Sequence, residues 1–297
     1  MFVLVSDPFS EELISDLSSF ATVSTDKADV SKADVILVRA KTKCNKEYID
    51  TAVKCKLIIR GGVGLDNIDL EYARSKGIEV MNTPKSSSIS VAELAFSFML
   101  GTASRLCMYS NGMVEGKWLK TEKRSELYGK KLALIGMGNI SKEVAKRALA
   151  FGMTVKAYDK YVSSDVIKSQ MDVNMVNSLE ELVEDADYIS IHVPLNDETR
   201  DLVNMKLIDH MKNNPVIINT ARAAVINLDD ICTALKEEKV KHLCTDVYPV
   251  EPPDSSYPLL SLPNVTLTPH VGANTHEALG RIGKEIVNIL KTKYSIK

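Results

Sequence analysis

The chain has no long apolar run, no paired cysteines, no block of like charge, no internal repeat and no low-complexity linker, and each absence removes a class of protein. No stretch of it approaches the ~20 apolar residues that a membrane helix requires, so no membrane partner is expected. Cys44, Cys55, Cys107, Cys232 and Cys244 are scattered without a C-x-x-C pair, and their odd number leaves one over in every disulfide scheme. A reducing cytoplasm is the simplest setting, with the cysteines serving as small core residues. Histidine, cysteine and the acids nowhere fall at metal-ligand spacing, so no metal is expected. A formal charge of −2 and dispersed Lys and Arg argue against a broad basic face and hence against nucleic acid; the one cluster, 117–124, could bind a small anion. The start, M-F-V-L-V-S-D-P, carries no basic leader and no apolar stretch of signal length, and reads as a first strand.

At 297 residues, 45% hydrophobic and 26% charged, the chain can build two domains with their own cores. Short β-branched runs alternate with amphipathic segments: strands are expected at 2–5, 35–38, 57–59 and 78–80, with helices such as 11–20 and 68–75 between them. An apolar segment from Ser88 to Arg105, rich in Ala, Leu, Phe and Met, reads as a buried connecting helix. A second series follows, with strands at 132–135, 155–158, 188–193, 216–219, 243–246 and 265–268. Strands separated by helix-length spacers imply parallel, doubly wound sheets, so the fold class is α/β. The Pro-rich stretch 249–263 is a loop leading back into a strand, and the last helix, 275–290, returns to cover the first domain.

Strand 132–135 runs into G-M-G-N-I-S at 136–141, and a helix starts by Asn139, which is the dinucleotide fingerprint in context as well as in letters. Gly136 permits the tight turn and Gly138 lets a pyrophosphate approach the backbone. The helix N-terminus adds unpaired N–H groups and the positive end of its dipole. Ser141 stands where a third glycine would allow close packing of helix on strand. Asp159 ends the next strand, 23 residues after Gly136, where a carboxylate can bind adenosine ribose hydroxyls and repels a ribose phosphate. NAD is therefore expected, and NADP is disfavoured.

Three further strings follow strand ends of the same series: N-T-A-R at 219–222, D-V-Y-P-V-E-P at 246–252 and T-P-H-V-G-A at 268–273. Oxidising a secondary alcohol beside a carboxylate needs a base for the hydroxyl proton, a cation for the carboxylate and an oriented nicotinamide to receive hydride. His270 is the candidate base, at the edge of an open α/β sheet where ligands bind. Glu251 can hold the imidazole in one tautomer and stabilise its protonated form. The planar fork of Arg222 suits bidentate contact with a carboxylate. In the first series, the loop 61–64 is either a nest of N–H groups for an anion or a structural turn. Arg39 and Arg60 flank it on strand ends, as anion-binding groups or as strand-end salt bridges.

With these residues in place the sequence resembles the D-isomer-specific 2-hydroxyacid dehydrogenases over almost its whole length. The resemblance runs through V-R-A-K-T at Val38, I-R-G-G-V-G-L-D-N-I-D at Ile59, V-M-N-T-P at Val80, V-A-E-L at Val91, G-K-W at Gly116 and the four strings above. It implies two Rossmann-like doubly wound domains: a substrate-binding domain at 1–97 plus 271–297, and a nucleotide-binding domain at 98–270 inserted into it. Arg222, Glu251 and His270 match the family's catalytic arginine, glutamate and histidine. Gly136, Gly138, Asn139, Ile140, Asp159, Val193, Pro194, Thr220, Ala221, Arg222, Asp246, His270, Gly272 and Ala273 fall on its cofactor-contacting positions. Arg39, Arg60, Gly62, Val63 and Gly64, with Arg222 and His270, fall on its substrate-contacting positions. Lys85, Ser86 and Ser87 replace the Asn-Gly-Asn expected after N-T-P. The resemblance also implies a homodimer through the nucleotide-binding domains, with 101–118 as the contact stretch and Trp118 either there or in the core. Because the sequence stops after the helix that carries Lys291, the regulatory domain of longer relatives and its allosteric inhibition are not expected.

Three functions follow in order. The first is NAD-dependent oxidation of a phosphorylated 2-hydroxy acid, in which Arg39 and Arg60 would meet the phosphate. The second is reduction of an unphosphorylated 2-oxo acid such as glyoxylate or hydroxypyruvate, indifferent to loss of those arginines. The third, from another class, is a nicotinamide-sensing corepressor-like binding protein on the same scaffold. A formate dehydrogenase is disfavoured, because Glu251 stands where that branch is expected to carry glutamine.

Overall fold

A computed structural model describes residues 1–296, which divide into two compact units, residues 1–90 with 273–296 and residues 91–272. The sequence expectation set the boundaries at 97/98 and 270/271. The first transition falls instead after Ser90, inside a helix, because Ala92, Ala95 and Phe96 pack into the core of the second unit.

The first unit runs β1 (Phe2–Val5), α1 (Glu11–Ser18), β2 (Thr22–Ser24), β3 (Val35–Val38), α2 (Lys46–Thr51), β4 (Leu57–Arg60), α3 (Leu70–Ser75) and β5 (Glu79–Asn82). Its sheet is parallel in the order β2-β1-β3-β4-β5. The order reverses at β1/β3, so the loops after those strands, which carry Asp7 and Arg39, open at the switch point where such sheets bind ligands. β3 is buried throughout, as expected of a strand covered on both faces, which explains why its sequence is a continuous apolar run. β2, three residues on the sheet edge, is too short to show a period and was not expected. The C-terminal helix (His276–Lys293) belongs to this unit. Its apolar positions recur at Ala278, Ile282, Ile286 and Leu290, and the last three lie fully buried in one cluster with Val3, Val5, Leu57 and Ile59. Each such side chain contributes roughly 1.5–3 kcal/mol of burial. Gly283 lets this helix approach α1, since a Cβ there would lie 3.3 Å from Leu13 Cβ.

The chain enters the second unit through α4 (Ser88–Ser104) and bends by 59° into α5 (Leu106–Val114). No single helix among the described residues is long and apolar enough to cross a membrane. There follow β6 (Lys131–Ile135), α6 (Asn139–Ala150), β7 (Thr154–Tyr158), α7 (Ser164–Lys168), β8 (Asn174–Met175), α8 (Leu179–Val183), β9 (Tyr188–Ile191), α9 (Met205–Ile208), β10 (Val216–Asn219), α10 (Leu228–Lys236), β11 (His242–Thr245) and β12 (Val265–Leu267). The sheet is parallel, ordered β12-β11-β10-β9-β6-β7-β8, and reverses at β6/β9. The loop 249–263 holds one short 3-10 turn, Pro258–Ser261.

Two expectations are corrected on α5 and beyond it. Cys107 is exposed while the other four thiols are buried, and Trp118 is 74% exposed and therefore not a core residue. α5 has no continuous buried face, and only Gly112 within it is buried. Burial pushes the Cys44 and Cys55 thiols up, to about 12 and about 11, so they are inert packing groups.

Candidate active site

The fingerprint turn lies at the switch point of the second sheet. Gly136 has φ +91° and donates its N–H to the Tyr158 carbonyl at 2.8 Å. A Cβ there would stand 2.8 Å from the His192 carbonyl oxygen and 2.9 Å from Val193 Cγ1, so the residue must be glycine for steric as well as dihedral reasons. Gly138 is different: its φ is −80° and a Cβ would meet nothing within 4 Å. It caps α6 without a side-chain bond, and the first turn of α6 holds no acid, whereas Asn204 and Asn227 cap α9 and α10 with their side chains. Open space in front of a helix start that takes no side-chain cap from Gly138 fits a pyrophosphate. Ser141, at the third glycine position, is fully buried with its hydroxyl unpartnered, while Ile140 packs against the core.

Asp159 directly follows β7. One carboxylate oxygen accepts from Met137 N–H at 2.7 Å, and the other accepts from Tyr161 and Val162 N–H at 2.8 and 3.1 Å. The neighbouring Lys160 is turned to Glu198 at 2.7 Å, which also accepts from the Tyr161 hydroxyl at 2.9 Å. Val193 and Pro194 follow β9, where the His192 N–H donates to Ile135 O at 2.8 Å and ties this loop to the end of β6. The His192 ring was not foreseen. Its Nε2 meets Ser190 Oγ at 2.9 Å, its Nδ1 has no partner, and full burial pushes its pKa down to about 3.

Asn219, the last residue of β10, brackets the next loop: its side chain accepts from Ala221 N–H at 3.0 Å and donates to Arg222 O at 2.9 Å. The Thr220 hydroxyl is buried without a partner, a polar atom available to a bound group, and the Arg222 guanidinium donates to Ala221 O at 2.7 Å.

Glu251, on the loop after β11, and His270, after β12, form a pair. Both carboxylate oxygens lie 2.8 Å from His270 Nδ1, so Nδ1–H donates to Glu251. This leaves Nε2 as the lone-pair nitrogen of the neutral ring, with no hydrogen bond among the described residues. His270 sits in left-handed backbone, φ +53°, uncommon for a residue with a side chain. Asp246, 2% exposed, holds the segment around it, accepting from Thr268 Oγ1 at 2.6 Å and from Val271 and Gly272 N–H, each at 2.8 Å. The sequence marks Asp246 as a cofactor position; its carboxylate is used by its own chain. Ala273 opens the return segment of the first unit.

The remaining candidates lie on the first unit. Arg39 follows β3, with its N–H on Asp7 Oδ2 at 2.6 Å; burial lowers its guanidinium pKa, partly offset by Asp7. Arg60 ends β4, and its guanidinium lies over Gly62, where a Cβ would be 1.6 Å from a terminal nitrogen. Gly62 has φ +139° and donates to the buried Thr83 hydroxyl at 2.7 Å. Val63 is partly exposed and its carbonyl accepts from Asn82 at 2.6 Å, and Gly64 continues the same loop. Ser86 and Ser87 are buried, with the Ser86 hydroxyl on Glu285 and its carbonyl accepting from Arg281 Nε at 2.8 Å, so they brace the C-terminal helix.

A glycine turn at the switch point, an acid after the following strand and a His–Glu pair at later strand ends of one sheet define a nicotinamide-nucleotide domain of the oxidoreductase class. Residues 96–272 match the family model for the D-isomer specific 2-hydroxyacid dehydrogenase, NAD binding domain. A hydroxypyruvate reductase of Thermotoga maritima is 44% identical over 261 residues, 87% of this chain and 84% of that protein. A D-3-phosphoglycerate dehydrogenase of Methanocaldococcus jannaschii is 41% identical over 97% of this chain, which spans only 56% of that relative's length. The structure of D-lactate dehydrogenase from Aquifex aeolicus, complexed with NAD and lactic acid, superposes with a TM-score of 0.86 at 30% identity, covering 99% of this chain and 96% of that one. The chain belongs to the D-isomer specific 2-hydroxyacid dehydrogenases, and its second unit is their NAD-binding domain.

Proposed function

We propose that the protein is an NAD-dependent dehydrogenase that interconverts 3-phosphoglycerate and 3-phosphohydroxypyruvate, a step toward serine. The observation that carries the chemistry is the two-oxygen contact of Glu251 with His270 Nδ1, which leaves Nε2 to exchange a proton. In the oxidising direction Nε2 takes the proton from the substrate hydroxyl, and Glu251 balances the imidazolium that forms. The Arg222 fork orients the substrate carboxylate. Bound NAD supplies the hydride acceptor for the hydrogen on the same carbon. Gly138, the start of α6, Asp159 and Thr220 would hold the dinucleotide, and the pairing of Lys160 with Glu198 leaves the ribose site to Asp159, in favour of NAD over NADP.

The substrate reading is supported by Arg39 and Arg60 on strand ends of the first unit, and by the names of several relatives. The 44% identity to a hydroxypyruvate reductase supports a second reading, reduction of an unphosphorylated 2-oxo acid. The exposed Leu106, Met113, Val114 and Trp118 would be covered in a homodimer, and the free thiols suit a cytoplasmic setting.

Steady-state kinetics with NADH against phosphohydroxypyruvate, hydroxypyruvate and glyoxylate separates the two. The expected result is a kcat/KM for the phosphorylated acid at least about tenfold above the others, the worth of one charge-assisted contact. Equal or better rates with the unphosphorylated acids would make it a general 2-oxo acid reductase, and no turnover with any would refute the enzymatic reading.

A further inference from the structure

Tyr248 lies two residues beyond Asp246, after the end of β11, and touches both segments that carry the His270–Glu251 pair. Its phenol donates to the Thr268 carbonyl at 2.8 Å. The same oxygen accepts the His270 backbone N–H at 3.0 Å, closing the turn that puts His270 into left-handed backbone. On the other side, the Tyr248 backbone N–H reaches Glu251 Oε1 at 3.4 Å. The ring is fixed edge-on against Tyr257, with centroids 5.9 Å apart and planes at 74°. Burial, with the Asp246 and Glu251 carboxylates nearby, pushes the phenol above its ordinary value, so it remains a donor wherever the enzyme works.

Asp246 grips the histidine turn through the Thr268 hydroxyl and the amides of Val271 and Gly272, and leaves the Thr268 carbonyl to Tyr248. Among the described residues, Tyr248 is the one whose side chain links that carbonyl to the loop bearing the glutamate. We propose that Tyr248 is a positioning residue of the reaction, whose hydroxyl sets the histidine-bearing turn in register with the glutamate-bearing loop. It acts through the pair and not on the reacting atoms, and it rests on the reading of His270 as the proton-exchanging group. A His–carboxylate pair tolerates little misalignment, because displacement of about 1 Å at a catalytic group can cost up to a hundredfold in rate.

The test compares wild type, Tyr248→Phe, Glu251→Gln, their double variant and His270→Ala, with NADH and whichever of phosphohydroxypyruvate or hydroxypyruvate turns over faster. His270→Ala checks the underlying reading: lost turnover with retained NADH binding supports it, and surviving turnover overturns it together with this inference. Tyr248→Phe keeps the ring packing and removes one donor. It is expected to lower kcat about tenfold, to change KM and the NADH Kd less than about twofold, and to add no loss on top of Glu251→Gln. A wild-type kcat in Tyr248→Phe, or a loss fully additive to that of Glu251→Gln, would overturn the positioning role while leaving that of His270 standing. A lowered Tm and active fraction with unchanged turnover per active site would make Tyr248 structural only, and overturn it too.

Discussion

The two glycines of the fingerprint turn are required for different reasons, and replacing each by alanine separates them. At Gly136, with φ +91°, any Cβ is strained, by about 1–2 kcal/mol as for an L-residue forced into left-handed backbone. The new methyl would also stand 2.8 Å from the His192 carbonyl oxygen and 2.9 Å from Val193 Cγ1. Neither neighbour can move freely, since the His192 N–H is bonded to Ile135 at the end of β6 and its carbonyl is backbone. Overpacking of that kind adds about 1–3 kcal/mol. Gly136→Ala should therefore cost about 2–5 kcal/mol, and at about 2–4 °C per kcal/mol the Tm of the ligand-free protein should fall by roughly 4–20 °C. At Gly138 the backbone is ordinary and a Cβ meets nothing within 4 Å, so Gly138→Ala should cost less than about 1 kcal/mol, the difference between Gly and Ala at a helix cap. Its methyl fills the space through which a pyrophosphate reaches the start of α6, and the NADH Kd should rise at least about tenfold. Scanning fluorimetry without ligand and NADH fluorescence titration read the two effects separately. If Gly138→Ala loses as much Tm as Gly136→Ala, or binds NADH like wild type, the assignment of folding to one glycine and binding to the other is wrong.

Replacing Asp159 by alanine should weaken NADH by roughly tenfold to a hundredfold, the worth of hydrogen bonds to a charged group, and NADPH by less; equal losses in titrations of the two would remove the ribose role. His192 gives the fold a pH dependence of its own, set by a depressed histidine pKa. Its imidazole is neutral in the fold, pushed down to about 3, while the unfolded chain protonates below the ordinary 6.5, so acid favours unfolding. This contribution is complete above pH 6.5 and is lost at about 1.4 kcal/mol per pH unit on descent toward pH 3. His192→Gln should flatten that part of the stability curve, and urea midpoints that shift equally in both proteins between pH 7 and 5 would exclude it.

Much of this was legible in the sequence because parallel strands and their strand-end motifs are local signals. A strand buried on both faces, such as β3, is a continuous apolar run, and the turn after β6 announces itself by glycine spacing. What escaped was decided by partners distant along the chain. Edge strands β2 and β8 exist because a neighbouring strand offers them a ladder, not because three or two residues show a pattern. His192 looks like any histidine near a proline, and only the crossing of β6 and β9 makes it a buried neutral ring. Gly62 reads as part of an anion nest or of a structural turn, and only the fold shows that it also clears room for the Arg60 guanidinium that lies across it.

Asp246 shows most directly how a motif position acquires a structural task that its letters do not announce. Its place in D-V-Y-P-V-E-P matches a cofactor-contacting position, and in the fold its carboxylate also accepts from three donors of residues 268–272. Left-handed backbone at His270 costs of order 1–3 kcal/mol and persists only where the surroundings over-determine it. Three charge-assisted bonds to a buried carboxylate, each roughly 1.5–3 kcal/mol, are sufficient to do so. In this conformation the imidazole meets Glu251 through Nδ1. The aspartate therefore holds the histidine at its own strand end whether or not it also meets the nicotinamide. Loss of Asp246 should consequently reach the His270–Glu251 pair before it reaches the affinity for NAD.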